Sequence, residues 1–143
     1  MSYRFIEDVA IADVAFEASG RNLNELFEFC ALAVSNTMIK NMKSISKKVK
    51  KEVNLEADNI EMLLNIFLQQ IIFYKDAEQL LFGKFDVTIK GKNGKYILKS
   101  RFYGEKINPK KHELLVDVKS VTWHLFSVKK SGKKWMATVV LDI

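Results

Sequence analysis

Apolar positions in the first part of the chain follow a strand pattern and then a helical pattern. Residues 3–11 and 13–18 are rich in Val, Ile and Phe, which predicts two strands. Asn22, followed three residues later by Glu25, predicts a helix start with reciprocal capping. Apolar residues then recur at helical spacing through about Ile39, so one face of this helix is expected to be buried.

A second and more apolar helix is predicted to begin near Asp58, with Glu61 as its capping partner. We expect it to be the central packing helix, because its apolar stripe is wide. The stripe consists of Ile60, Leu63, Leu64, Phe67, Leu68, Ile71 and Ile72. Between the two helices, the basic tract 40–51 predicts an edge strand or ribbon whose lysines discourage pairing with another chain.

The period changes to two in the last part of the chain. Residues 85–89 and 96–102 alternate on either side of a Lys-Asn-Gly-Lys turn at 92–95, which predicts a hairpin. A long strand is predicted from 114 through 128. After a turn at Ser131 and Gly132, residues 135–142 predict the last strand.

This order of elements predicts an α+β fold, a single domain over residues 1–143 with two helices packed on a mainly antiparallel or mixed β-sheet. With 143 residues, 48% of them hydrophobic, the chain can bury a substantial core. Cys30 is the only cysteine and lies on the apolar stripe of the first helix, so we expect a small core residue rather than a nucleophile. The sequence shows neither a secretory signal nor a membrane-spanning segment, which predicts a cytoplasmic protein without a membrane partner. It does not indicate an oligomeric state.

The net charge and the sequence motifs limit the classes of function to consider. The formal net charge of +6 favours acidic partners such as RNA, DNA or an acidic protein surface. The chain has no phosphate-binding P-loop, no dinucleotide glycine fingerprint and no zinc-ligand spacing among its two histidines and one cysteine. No serine lies in a nucleophile-elbow context. These enzyme classes are therefore disfavoured.

Two strand-borne carboxylates are the first candidates for chemistry. Asp13 lies in otherwise apolar sequence, and Asp142 lies in the apolar final segment beside the α-carboxylate of Ile143. Burying an unpaired carboxylate is costly, so a cation or hydrogen-bond donors should compensate it. Oxygen ligands of this kind suit calcium, which binds them at roughly 2.3–2.6 Å. The competing interpretation is that both residues only cap strand ends or pair with lysines.

Lys119 and His124 are further candidates on the strand predicted from 114 through 128. Alternation would place them on opposite faces. Lys119 is interpreted as a solvated or carboxylate-paired lysine. For His124, a hydrogen-bonded, partly buried imidazole is favoured over a role in metal binding or proton transfer.

Several segments together resemble the archease family. They are Ala-Asp-Val at 12–14, Gly20 followed by Leu-Asn-Glu-Leu-Phe at 23–27, Lys-Ser-Val-Thr-Trp-His at 119–124 and Val-Val-Leu-Asp-Ile at 139–143. The segments occur in the family's order, and the spacing from Asp13 to Gly20 matches.

The resemblance implies that the protein is not an enzyme but an activator of the RNA ligase of tRNA splicing, promoting ligase guanylylation and multiple turnover. It implies a site for calcium or another divalent cation at Asp13, Asp142 and the main-chain oxygen of Ile143. It also implies that Lys119 takes part in activation. Many family members have a histidine where this chain has Ala10, so the role of that position does not carry over. The partner implied is the ligase protein, with RNA contact weak or indirect.

Three other functions stay open at this stage. A basic RNA-binding module would use Lys47, Lys48, Lys50 and Lys51, with Arg101 and aromatic residues such as Tyr103. A metal-dependent hydrolase would need a general base, for which Glu7, Asp8 and His124 are at hand. The third is a chaperone-like modulator of RNA-processing proteins.

Overall fold

The computed structural model describes residues 2–6 and 13–143, and it contains two antiparallel sheets and two helices. Sheet one has the order β1-β2-β8-β6, with β7 also paired to β8, and sheet two has the order β3-β5-β4. The elements are β1 (Ser2–Ile6), β2 (Asp13–Gly20), α1 (Leu23–Met38), β3 (Val49–Ala57), α2 (Ile60–Glu78), β4 (Leu80–Lys92), β5 (Lys95–Lys106), β6 (Ser120–Val121), β7 (Ser127–Ser131) and β8 (Lys134–Asp142). The predicted α+β class is confirmed, with the strands divided between two sheets. The predicted first strand is β1 as far as Ile6, and residues 7–11 lie outside the described part of the chain.

At the start of α1, Asn22 is the cap as predicted, whereas Glu25 returns its hydrogen bond to the residue before the cap. The Asn22 side chain accepts a hydrogen bond from the Glu25 amide at 2.9 Å, and the Glu25 carboxylate accepts one from the Arg21 amide at 3.2 Å. β2 and α1 approach so closely that a Cβ on Gly20 would lie 2.5 Å from the amide nitrogen of Leu26. Glycine is therefore required at this junction.

The second helix begins one residue later than predicted. Asn59, not Asp58, is the N-cap, and its side chain accepts a hydrogen bond from the Met62 amide at 2.8 Å. The predicted apolar stripe is buried, and Phe67 lies at its centre, with its ring centroid 5.4 Å from that of Phe27 and 5.6 Å from that of Phe102. α2 thus connects α1 to sheet two in one hydrophobic core.

Cys30 is fully buried in this core, as predicted, and burial raises the pKa of its thiol well above the ordinary value. No helix in the described ranges is long and apolar enough to span a membrane.

The strand prediction for the basic tract is correct only in part, whereas the hairpin prediction is confirmed. Only the end of the tract is a strand, because residues 42–44 form a 3₁₀ turn and β3 begins at Val49. β3 is an edge strand, as predicted. The hairpin is confirmed, with Asn93 at φ 52° and Gly94 at φ 77°, the left-handed pair that a two-residue turn requires.

The prediction of one long strand from 114 through 128 is wrong. β6 and β7 are separate short strands that both pair with β8, and the residues between them bulge away from the sheet. The bulge contains Leu125 at φ 54°, a left-handed conformation that leucine rarely adopts. Before β6, the chain instead follows the end of α1, where the Leu115 amide donates to the carbonyl of Met38 at 2.8 Å. Because residues 114–128 do not form one strand, alternation along a strand cannot place Lys119 and His124 on opposite faces as expected.

Candidate metal-binding and activation site

Asp13 and Asp142 lie directly opposite each other on neighbouring strands. β2 and β8 are antiparallel, and their register pairs Asp13 with Asp142 and Ala15 with Val140. Directly opposed residues of an antiparallel pair project to the same face, with Cβ atoms about 4.5–5.5 Å apart. Ala15 and Val140 share that face and are only 3% and 0% exposed. The two partly exposed carboxylates therefore lie together beside a buried apolar pair.

Ser120 lies on the other side of Asp142. β6 pairs with β8 so that Ser120 opposes Asp142, which gives three polar residues in a row across three strands. The preceding residue is Lys119, whose amide donates to the main-chain oxygen of Asp142 at 2.8 Å. The side chain of Lys119 is exposed. The backbone of Lys119 therefore lies beside the carboxylate pair, although Lys119 does not belong to the long strand that was predicted.

A buried lysine fixes the segment before Lys119. Lys75 on α2 is 7% exposed, and its ammonium donates to the Asp117 carboxylate at 2.5 Å and to the Val118 carbonyl at 2.8 Å. It also contacts the Asp76 carboxylate at 2.6 Å. Burial acts to lower the pKa of Lys75, but the two carboxylates outweigh burial and raise it, so the ammonium stays charged.

The electrostatics of the carboxylate pair suit a cation. In the ranges 2–6 and 13–143, no side-chain nitrogen of Lys, Arg or His lies within 4.0 Å of the Asp13 or Asp142 carboxylate. Two adjacent carboxylates repel, and a bound divalent cation would remove that repulsion. The available donors are oxygens, which fit calcium or magnesium better than zinc.

The remaining ligands would have to come from other oxygens. No group of three or more His, Cys, Asp and Glu residues suited to a metal occurs among the described residues. Ser120 and the main-chain oxygen of Ile143, which follows Asp142 directly, are the nearest candidates in sequence and register. The Ile143 side chain is partly buried against the core.

Of the predicted hydrolase residues, only His124 lies in the described part of the chain. His124 is exposed in the turn between β6 and β7, so the expectation of a partly buried, hydrogen-bonded imidazole is wrong for it. Glu7, Asp8 and Ala10 lie outside the described residues.

The buried imidazole belongs to His112 instead. Its Nε2 lies 3.0 Å from the Glu105 carboxylate, and its Nδ1 accepts the amide hydrogen of Asn108 at 3.0 Å. Because Nδ1 accepts, the ring is neutral and donates through Nε2. Lys111 donates to the same Glu105 carboxylate at 2.7 Å. No local sequence pattern predicts this cluster, since it depends on a turn at 108–112 that follows no periodicity.

Comparison with known proteins gives one consistent family. The model of the Archease protein family matches residues 3–143. A curated relative from Pyrococcus furiosus, named Protein archease, is 40% identical over 133 residues, which are 92% of this chain and 93% of the relative.

Two solved structures agree in fold. The solution structure of protein 1598 from Methanobacterium thermoautotrophicum has a TM-score of 0.87 and 32% identity, and it covers 99% of each chain. A crystal structure of an archease, described as a possible chaperone, from Thermotoga maritima has a TM-score of 0.60 and 18% identity, with 98% of each chain covered. The whole-length family match, the relative at 40% identity and the shared fold lead to one conclusion: the chain belongs to the archease family.

Proposed function

We propose that this protein is a non-enzymatic activator of the RNA ligase of tRNA splicing, and that it acts through a divalent cation held by Asp13 and Asp142. The observation that supports the proposal is the register of β2 on β8, which opposes the two carboxylates. Calcium, or another divalent cation, would take oxygen ligands from the carboxylates and from the main chain of Ile143. When bound, the cation supplies positive charge at a surface the ligase can reach.

The chain's own contribution is placement of charge. Lys119 is exposed next to Asp142, and Lys75 holds the two residues before it against α2. An exposed ammonium on a backbone held in this way can contact a phosphate or a carboxylate of the partner. Nucleotidyl transfer depends on charge neutralisation and alignment, so a partner protein can accelerate it without supplying a nucleophile. Lys119 is in this account a positioning residue for the nucleotide in the ligase.

The test is multiple-turnover joining of RNA by a purified ligase from the same source. The protein should raise turnover in the presence of calcium, and a chelator should abolish the increase. Asp13→Asn and Asp142→Asn should each remove the stimulation while retaining the thermal stability of the fold. Asp58→Asn is the matched control, because Asp58 is exposed and forms no ion pair with a described residue. Equal stimulation by wild type and both site variants would refute the proposal.

A chaperone-like role toward RNA-processing proteins is the second candidate, and exposed apolar side chains favour it. Leu115, Trp123 and Leu125 are 51%, 54% and 66% exposed, and all lie in the segment that flanks Lys119. Exposed apolar groups in one segment are typical of protein-contact surfaces. The Thermotoga maritima relative is itself described as a possible chaperone. If this role is correct, the protein should suppress aggregation of a heated RNA-processing enzyme, and a Trp123→Ser, Leu125→Ser variant should not.

A further inference from the structure

We propose that the outer face of sheet two is a binding groove for single-stranded RNA. This face belongs to β3, β5 and β4 and is separate from the carboxylate pair on sheet one. The inference is therefore independent of the proposed ligase activation. It rests on the cross-strand register, the uncompensated charge and the stacking groups of this face.

The register brings one polar set onto a single face. Across the three strands, Lys99 lies between Asn54 and Thr88, and Arg101 lies between Glu52 and Asp86. The intervening residues of the strands, such as Val53, Leu98 and Phe102, are buried toward α2. The face forms an open groove of about 640 Å³. This volume is within the range of natural ligand sites, roughly 300–1,000 Å³.

Cations outnumber carboxylates on this face, whose acidic residues are Glu52, Glu56 and Asp86. Arg101 and Lys50 each approach the Glu52 carboxylate, at 4.0 and 3.7 Å. Four further lysines of the face have no carboxylate oxygen within 4.0 Å among the described residues. They are Lys84, Lys90, Lys92 and Lys99, all exposed. Elsewhere, by contrast, Lys51 pairs with Glu78 at 2.9 Å. Uncompensated lysines along a groove are the arrangement that a phosphate backbone neutralises.

Flat side chains on the same face favour unpaired bases over a duplex. Tyr103 lies between Lys50 and Lys84 in the register and is partly exposed, with the Lys84 ammonium 5.6 Å from its ring centroid. Arg101 lies two residues before Tyr103 on β5. Aromatic rings and guanidinium planes stack on bases only where the bases are splayed out of a helix. Asn54 and Thr88 offer polar groups to the ribose 2′-hydroxyl, which favours RNA over DNA.

The RNA-binding set named from the sequence lies only partly on this face. Lys50 shares the face with Arg101 and Tyr103, whereas Lys51 projects to the other face of β3. Lys48 lies before β3, with its ammonium 3.8 Å from the Glu105 carboxylate. The larger part of the groove comes from β4 and β5.

Fluorescence anisotropy with a labelled unstructured 12-mer RNA tests the proposal. For the four uncompensated lysines, affinity should fall about 50-fold between 50 and 200 mM salt, since the slope for single strands is about −0.7 per neutralised phosphate. Lys90→Ala, Lys99→Ala should reduce this fall to about 7-fold. The matched control is Lys129→Ala, Lys133→Ala, which removes the same charge from exposed positions at the end of sheet one. It should retain the wild-type salt dependence.

A second variant separates stacking from charge. Tyr103→Leu should weaken binding about fivefold or more, and Tyr103→Phe should bind as the wild type does. Single-stranded DNA and duplex RNA of the same sequence should bind more weakly than the 12-mer. The proposal is wrong if the control pair weakens binding as much as the groove pair, if duplex RNA or the DNA strand binds equally, or if polyglutamate of matched charge competes as well as unlabelled RNA.

Discussion

Protonation of one buried carboxylate should cost this protein a measurable part of its stability. The Glu105 side chain is 6% exposed and accepts hydrogen bonds at 2.7 Å from the Lys111 ammonium and at 2.7 Å from the Ser46 amide. Burial acts to raise the pKa of Glu105, but Lys111, the Ser46 amide and His112 together lower it from 4.5 to about 2. At 1.36 kcal/mol per pKa unit, the ionised form contributes at most about 3 kcal/mol.

The direction of the pH dependence follows from the lowered pKa. A carboxylate whose pKa is lower in the folded state stabilises the fold fully at pH values above its pKa in the unfolded state, here about 4.5. That contribution is lost as the pH falls toward 2. Glu105→Gln removes the charge at every pH. The free energy of unfolding should therefore be lower in the variant by about 1–3 kcal/mol at pH 6, and most of this difference should be lost by pH 2.

Urea unfolding of both proteins at pH 6, 4, 3 and 2 measures this difference. Glu113→Gln is the control, because Glu113 is 66% exposed and lies 3.5 Å from the Lys40 ammonium. Such a surface pair contributes up to about 1 kcal/mol, so its removal should matter little at any pH. If the difference between wild type and Glu105→Gln were the same at pH 6 and pH 2, the reasoning would be refuted.

Two other predictions concern the site support and the backbone. Lys75→Met should fold but lose ligase stimulation to the same degree as Lys119→Ala, since the segment before Lys119 is no longer held; full stimulation in the joining assay would contradict this role. Gly104→Ala should lower the free energy of unfolding in urea by about 3 kcal/mol or more, because its Cβ would lie 1.8 Å from the Leu81 carbonyl oxygen. Gly91→Ala, whose nearest contact would be at 4.0 Å, should change it by less than about 1 kcal/mol, and equal losses in the two variants would count against the packing argument.

The helices and the hairpin could be predicted because their signals are local. Asn22 and Glu25 cap α1 through contacts three residues apart, and Asn93 and Gly94 adopt the two left-handed conformations of the turn. Such interactions depend on neighbours in sequence, so the pattern of residues predicts them directly.

The segment after β5 could not be predicted from alternation. Leu114 and Val116 suggested a strand, but both are more than 40% exposed, and the chain there follows α1 rather than a sheet. Leu125 carries no sequence signal for its positive φ, and tertiary hydrogen bonds to β8 place the turn. Such long-range pairing overrides local propensity.

The candidate site was partly accessible from sequence. A carboxylate in each of two apolar strands suggested that Asp13 and Asp142 meet, and the register opposes them. Ser120 was missed because its place depends on β6 pairing with β8. Lys75 had an available signal, since it continues the apolar stripe of α2 four residues after Ile71 and is therefore expected to be buried.

Calcium titration by calorimetry probes the carboxylate pair without ligase or RNA. The wild type should bind one calcium ion per chain saturably, Asp142→Asn should show no detectable binding, and Asp58→Asn should bind as the wild type does. Binding that persists equally in Asp142→Asn, or no binding of any divalent cation to the wild type, would contradict the claim that the two opposed carboxylates share a cation.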